Sequence, residues 1–223
     1  LRISRLYPYE DLEDLLEKQK DLIKEKIPNL LLSFSEDLCE VLRIPEEDLL
    51  VQGGGYRGDP SPVPYVMFGD RRFTAGASKG RYCVYLFGCG GSSLYLSLNQ
   101  GTTTESFFSG GRGGDTVDDR DLADFASWAR SVVYEMWGDK IAGGSYYLTD
   151  QIDLRFPDKG PGSRSRARSY EPANALAIEY GQGQIPSMEK IKKDAVVFGS
   201  FLRGVYDQIE AGFDPLDLLN DVD

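Results

Sequence analysis

Apolar positions along this chain change period twice, from helical to strand-like and back to helical. Residues 8–27 carry Leu and Ile near helical spacing with charged residues between them, which predicts an amphipathic helix that ends at Pro28. A second helical or mixed segment covers residues 30–43. Helical spacing returns over residues 120–137 and again over 187–210.

Between these helices the period falls to about two, which is typical of strands. The strand-like segments are 49–51, 63–68, 82–87, 93–98, 146–148, 152–156 and 175–180. The glycine-rich residues 88–91 supply a turn, so the strands on either side of them form a hairpin. Strands in the middle and helices at both ends predict an α+β fold, with a central curved, mostly antiparallel sheet flanked by N- and C-terminal helices.

Composition argues against several classes of protein. The 223 residues include no histidine, and the three cysteines (Cys39, Cys83 and Cys89) have no paired spacing. Catalysis by histidine and zinc sites of the Cys/His kind are therefore disfavoured, and a reduced, cytoplasmic setting fits best. No run of about 18 apolar residues exists, so no membrane span is expected.

The net charge of −11 argues at first sight against a nucleic-acid partner. The acidic excess, however, lies in residues 1–50 and 205–223. The middle of the chain is close to neutral, so it could still present a basic face.

A glycine-rich loop, GGGYRGD at 53–59, precedes the most aromatic strands. It lacks the Gly-Lys-Ser/Thr ending of a phosphate-binding loop, and the prolines after it prevent a following helix. Glycine lets the backbone approach a duplex closely, and Tyr56 or Arg57, next to Gly58, could wedge into a groove. The alternative is a hairpin loop without a binding role.

Three apolar side chains beside this loop could form a pocket for an extruded base: Tyr65, Tyr82 and Leu86. Stacking on such walls supplies about 1–3 kcal/mol per base. Tyr82 and Leu86 share one face of a strand, and the alternative is that this face is simply core.

A polar loop at 158–169 carries candidate phosphate contacts, namely Lys159, Arg164, Arg166 and Arg168. Arg112, in another glycine-rich loop, is a weaker candidate for the same role. The alternative is a solvated surface loop.

The carboxylates form no convincing catalytic pair. A metal-dependent nuclease would have to use Asp150, Asp153 and Lys159, which is a poor match to such sites. We therefore expect no catalytic residue, no metal, no cofactor and no enzymatic activity in this chain.

Several segments together resemble the MrcB-like N-terminal domain, the DNA-recognition module of McrB-type modification-dependent restriction systems. The matching segments are GGGYRGDPSPVPYVMF at 53–68, KGRYCVYLF at 79–87, LYLSLNQGTT at 94–103, GGSYYL at 143–148 and SYEPANALAIEY at 169–180, followed by the helix after Pro186. The resemblance divides the chain into an N-terminal helical segment (1–48), the MrcB-like domain (49–210) and an acidic linker or tail (211–223).

The resemblance implies a domain that binds duplex DNA and rotates a modified cytosine into a pocket. The family's wedge falls near Tyr56 or Arg57, and its pocket walls fall on Tyr65, Tyr82 and Leu86. Where the family commonly has Trp, this chain has Tyr65, which keeps an aromatic face. A GTPase or nuclease, fused or in a separate subunit, is the implied partner. The competing hypothesis is a protein-interaction module of a defence complex that does not bind DNA itself.

Overall fold

The computed structural model describes residues 9–55, 61–103, 117–141, 147–156, 166–181 and 186–213. Its helices are α1 (Tyr9–Asp21), α2 (Ile27–Leu32), α3 (Ser35–Leu42), α4 (Asp119–Lys140) and α5 (Met188–Glu210), and its strands are β1 (Leu49–Gly54), β2 (Tyr65–Asp70), β3 (Arg81–Phe87), β4 (Leu94–Gln100) and β5 (Leu176–Tyr180).

The five strands form one open sheet in the order β1-β2-β3-β4-β5, and every neighbouring pair is antiparallel. The α+β prediction is confirmed, with helices before and after the sheet. The predicted turn between β3 and β4 is also present, where Gly90 and Gly91 take φ values of 66° and 72° that favour glycine.

The prediction that the first helix ends at Pro28 is wrong. A π-helical turn, Leu22–Lys26, joins α1 to α2, and the Ile27 N–H donates to the Leu22 carbonyl five residues back. Pro28 then falls in the first turn of α2, directly after the π-helical turn. Residues 9–32 therefore stay helical through the proline.

One face of the sheet, the helix-covered face, packs against α2, α3, α4 and α5. Its buried side chains from the sheet include Val66, Phe68, Cys83, Tyr85, Leu96, Leu98 and Ile178, and those from α5 include Phe198, Phe201, Leu202 and Tyr206. Side chains cap the two long helices, because Asp118 accepts from the Arg120 N–H and Ser187 from the Lys190 N–H.

The opposite face, the loop-covered face, is also apolar but is covered by irregular chain. Met67, Tyr82, Val84, Leu86, Tyr95 and Ala177 project from the sheet, and Ile152, Leu154, Ala167 and Tyr170 cover them. The covering residues come from the segment 149–156 and from the short 3₁₀ helix Arg166–Tyr170.

The strand predicted at 152–156 is wrong, and residues 147–148 of the segment predicted at 146–148 are not a strand either, while residue 146 lies outside the described residues. The backbone N–H and C=O groups of this segment bond to a side chain and to a turn instead of to a neighbouring strand. The Leu154 N–H donates to a Glu171 carboxylate oxygen at 2.9 Å, and its carbonyl accepts from Cys89 N–H at 2.9 Å. Arg155 adopts a left-handed φ of 52°, which ends any extended run.

Candidate functional site

A cavity of about 490 Å³ opens on the loop-covered face, beside the edge strand β1. Its described lining comes from the π-helical turn, β1 with the glycine after it, Ser61 and the start of β2, the loop after β2, Thr102 and Thr103 after β4, and the 3₁₀ helix Arg166–Tyr170. The cavity therefore adjoins the glycine-rich loop that the sequence singled out.

Tyr65 forms the aromatic wall of this cavity. It pairs with Gly54 across the sheet, and a Cβ at Gly54 would lie 2.2 Å from the Tyr65 phenol ring. The Tyr65 ring occupies the space that a side chain at position 54 would fill, so glycine at this position allows the ring to lie there. Tyr65 also meets Tyr170, with ring centroids 6.0 Å apart and planes tilted by 60°.

The other two predicted pocket walls are interior residues. Tyr82 and Leu86 are both fully buried in the core of the loop-covered face. The structure thus brings Tyr65, but neither of its two predicted companions, to the cavity surface. Their direct contact with a base stays a prediction.

Tyr82 supports the cavity from beneath instead. Its hydroxyl lies 2.7 Å from the Ala77 carbonyl and 2.9 Å from the Gln100 carbonyl, so its proton is shared between two acceptors. Burial raises the pKa of Tyr82 well above its ordinary value, which keeps the hydroxyl protonated as a donor. Since Ala77 lines the cavity, this contact holds the loop after β2 in place.

Polar groups line the remainder of the cavity. The Thr103 hydroxyl and N–H both donate to the Ser78 carbonyl, at 2.7 Å and 3.1 Å, and this pins the end of β4 to the loop after β2. Gln52 is half-buried on β1, and its side-chain amide forms no hydrogen bond with the described residues. Its donors and acceptor are therefore available to a ligand.

The predicted wedge residues Tyr56, Arg57 and Gly58 lie outside the described residues. The two ends of their loop do meet, because the Ser61 N–H donates to the Gly55 carbonyl at 2.7 Å. Both Gly55 and Ser61 line the cavity, so the loop begins and ends at its mouth.

Of the predicted phosphate contacts, Lys159, Arg164 and Arg112 lie outside the described residues. Arg166 begins the 3₁₀ helix, and its side chain is not described. The Arg168 guanidinium lies over the Phe156 ring, 5.0 Å from its centroid. Ala167 and Tyr170 of the same helix line the cavity, so the described end of the predicted basic loop borders the site.

The two described carboxylates considered for a nuclease each make a structural contact. Asp150 pairs with Arg130 at 3.2 Å, and Asp153 accepts from the Arg155 N–H at 2.8 Å, while Lys159 is not described. Within the described ranges no three acidic or cysteine side chains are grouped as metal ligands. None of the helices in those ranges is long and apolar enough to cross a membrane.

Sequence reasoning missed most of the cavity lining, including the larger side chains of Lys24, Gln52 and Tyr170. Gln52 carried a usable signal, because it stands two residues before Gly54 on an alternating strand and so shares its face. Tyr170 lies in the segment 169–180 that resembles the family, but no sequence pattern indicates a role for it. Lys24 belongs to a helix far away in sequence, and only the fold brings it to the cavity.

One comparison with known proteins gives a match. The family model described as MrcB-like, N-terminal domain matches residues 2–209 of the 223, which includes the N-terminal helices. No curated protein and no solved structure matches the chain.

Proposed function

The chain belongs to the MrcB-like N-terminal domain family, associated with McrB-type restriction systems, and we propose that it recognises duplex DNA by rotating a modified cytosine into the cavity beside Tyr65. The observation that carries this proposal is the cavity itself. It has an aromatic wall, it adjoins the glycine-rich loop, and its volume of about 490 Å³ is in the range of small-ligand sites.

The chemistry of the lining suits a nucleobase. An extruded base is read by stacking on its faces and by hydrogen bonds to its Watson–Crick edge. Tyr65 offers a ring for stacking, and the Gln52 amide offers a donor next to an acceptor. Cytosine presents the complementary pair, an exocyclic amino donor beside a ring-nitrogen acceptor, so Gln52 is a suitable group to read it.

The energetics predict a modest preference for modified DNA. Extruding a base costs a few kcal/mol, which stacking of about 1–3 kcal/mol and the wedge must offset. Recognising one methyl group in an apolar pocket adds about 1–3 kcal/mol. Contacts to phosphates then supply most of the affinity and make it dependent on salt.

The test is a titration of the chain with duplexes that differ at one base, unmodified or modified cytosine. Tyr65→Ala removes the stacking wall, so we expect it to abolish the preference for the modified duplex and to leave weak, salt-sensitive binding. Tyr147→Ala is the matched control, because Tyr147 is 95% exposed and is absent from the described lining. A Tyr65→Ala variant that keeps the parent's preference would falsify the proposal.

We further propose that cleavage belongs to a partner, a GTPase or nuclease that is fused to this domain or associated with it. The chain should therefore leave modified duplex intact in the presence of magnesium. Magnesium-dependent cleavage that co-purifies with the chain and disappears in Asp150→Asn would instead support the nuclease alternative.

One observation favours a second function, contact with a partner protein. Leu15 and Leu22 are 58% and 45% exposed on the N-terminal helical segment. If protein contact is the sole function, the chain has no affinity for any duplex even at about 50 mM salt, where phosphate contacts are strong.

A further inference from the structure

The N-terminal helical segment gives the cavity a cationic mouth, and we propose that Lys24 binds the backbone phosphate of the nucleotide whose base enters the cavity. This inference rests on the proposed function. It adds a DNA contact from a segment that the sequence predicted to lie outside the DNA-binding domain.

Lys24 is held at the cavity by a close approach of two backbones. A Cβ at Gly53 would lie 1.7 Å from the Ile23 carbonyl oxygen and 3.2 Å from the Lys24 Cα. The π-helical turn is therefore in contact with β1 where the glycine-rich loop begins, and glycine is the residue that permits this.

The same turn is anchored in the core. Ile23 is 3% exposed and belongs to the helix-covered face, whereas Lys24, the next residue, is exposed and lines the cavity. Ile23 thus packs the turn against the core, and Lys24 places a positive charge at the cavity. Because the backbone is fixed, the side chain has a defined starting point beside Gly53.

Charge distinguishes Lys24 from the rest of the lining. It is the sole charged side chain among the described lining residues, and no carboxylate is among them. Lys26, on the same turn, pairs with Asp21 at 2.7 Å, but Lys24 forms no ion pair or hydrogen bond with the described residues. In a chain of net charge −11, a lysine at a cavity mouth that forms no ion pair with the described residues suits an anionic ligand.

The geometry of an extruded nucleotide supplies that anion. The base is neutral and enters the cavity, while its phosphates stay on the duplex backbone outside. A lysine at the mouth is therefore placed to contact a phosphate and carries no information about the base.

The experiment compares Lys24→Gln with Lys26→Gln, a loss of the same charge on the same turn. Binding of the full chain to modified and plain duplexes is measured between 50 and 200 mM salt. The loss of one phosphate contact makes the slope of log K against log salt less steep by about 0.9. Between 50 and 200 mM salt the affinity of the parent should therefore fall about threefold to fourfold more than that of Lys24→Gln. Lys26→Gln should follow the parent, and Lys24→Arg should restore the slope.

A second arm locates the phosphate. Duplexes with a neutral methylphosphonate on either side of the modified nucleotide are bound by parent and Lys24→Gln. At the contacted position the two proteins should bind equally, because the charge that Lys24 would meet has been removed.

The outcomes separate this inference from the proposed function. If Lys24→Gln and Lys26→Gln have the same slope while Tyr65→Ala still loses the modified preference, the Lys24 contact is wrong and base recognition stands. If Lys24→Gln changes the preference for modified DNA at an unchanged slope, Lys24 reads the base and the phosphate assignment is overturned. If the parent binds no duplex, both the Lys24 contact and the proposed function are wrong. Equal urea unfolding midpoints for the parent, Lys24→Gln and Lys26→Gln exclude a folding defect as the cause of a changed slope.

Discussion

The two faces of the sheet are both apolar, but they are closed in different ways. On the helix-covered face, α5 alone buries Phe198, Phe201 and Leu202 almost completely. On the loop-covered face, the described irregular chain covers side chains of β2 to β5, Met67 among them, and the cavity lies beside β1 and the start of β2. A helix presents a continuous apolar stripe, whereas a loop covers a sheet only where its backbone groups find partners. The incomplete cover is what makes a binding site possible here.

The cover of the loop-covered face depends on side-chain hydrogen bonds. The Tyr95 hydroxyl accepts from the Asp153 N–H at 3.4 Å, and the Ser93 hydroxyl donates to the Asp153 carbonyl at 3.3 Å. Shorter bonds also hold this segment, from the Leu154 N–H to Glu171 and from the Cys89 N–H to the Leu154 carbonyl, both at 2.9 Å, but they are scattered and form no continuous ladder. The segment 149–156 should therefore open locally at a lower free energy than the helices on the other face.

The largest expected effect tests this difference directly. Phe198→Ala should cost about 3–5 kcal/mol of the free energy of unfolding, because a fully buried ring leaves a cavity between α5 and the sheet. Leu154→Ala, at an equally buried position under the loop cover, should cost about 2 kcal/mol, since the irregular segment can collapse into the space. Urea unfolding of the two variants measures both values.

Hydrogen exchange supplies the control for that pair. Leu154→Ala should speed exchange within residues 149–156 while α5 stays protected. Equal costs for the two variants, with exchange raised everywhere, would mean that the two faces unfold as one unit and that the comparison is wrong.

The same comparison explains what the sequence could predict. Periods of two and 3.6, with Gly and Pro between them, identified the five strands of the sheet, the two long helices, the α+β class and the β3–β4 turn, because these depend on local spacing. Alternation also showed that Tyr82 and Leu86 share a face. It could not show what covers that face, so Tyr82 and Leu86, which the structure places in the core, were predicted as pocket walls together with Tyr65, which lines the cavity. Lys24 reaches the cavity through a contact across 29 residues of sequence, between the π-helical turn and Gly53, which no local pattern contains.

An intermediate effect separates the two roles considered for Tyr82. Tyr82→Phe keeps the ring but removes the hydroxyl that holds the Ala77 and Gln100 carbonyls. We expect a loss of about 1–2 kcal/mol in the free energy of unfolding, because two buried acceptors lose their donor. If Tyr82 acts through this hydroxyl, the loop lining the cavity loosens and the preference for modified duplex falls with it.

The opposite result would restore the sequence-based hypothesis. If Tyr82 stacks on the base, Tyr82→Phe keeps the full preference and Tyr82→Leu loses it. Titrations of both variants against modified and plain duplexes, at matched fractions of folded protein, distinguish the two roles.

The smallest effect concerns an ion cluster at the margin of the helix-covered face. Burial opposes ionisation of Asp207, but hydrogen bonds from Arg203 and Arg43 outweigh it and lower the pKa of Asp207 below its ordinary 3.8. A lowered pKa in the folded state means that the carboxylate stabilises the fold above pH about 4 and that this contribution is lost as pH falls through the folded pKa. Because the Asp207 side chain is 35% exposed, we expect no more than about 1 kcal/mol.

Asp207→Asn should therefore be less stable than the parent at pH 7, and the difference should shrink as pH falls from about 4 to 2. Asp21→Asn is the control, since Asp21 pairs with Lys26 on the exposed N-terminal helical segment and should change the free energy of unfolding little at any pH. Urea unfolding across this pH range measures both. If the difference in free energy of unfolding between Asp207→Asn and the parent stays constant over this pH range, Asp207 acts through packing and not through its charge. The margin of the helix-covered face would then be stabilised by packing, as its core is.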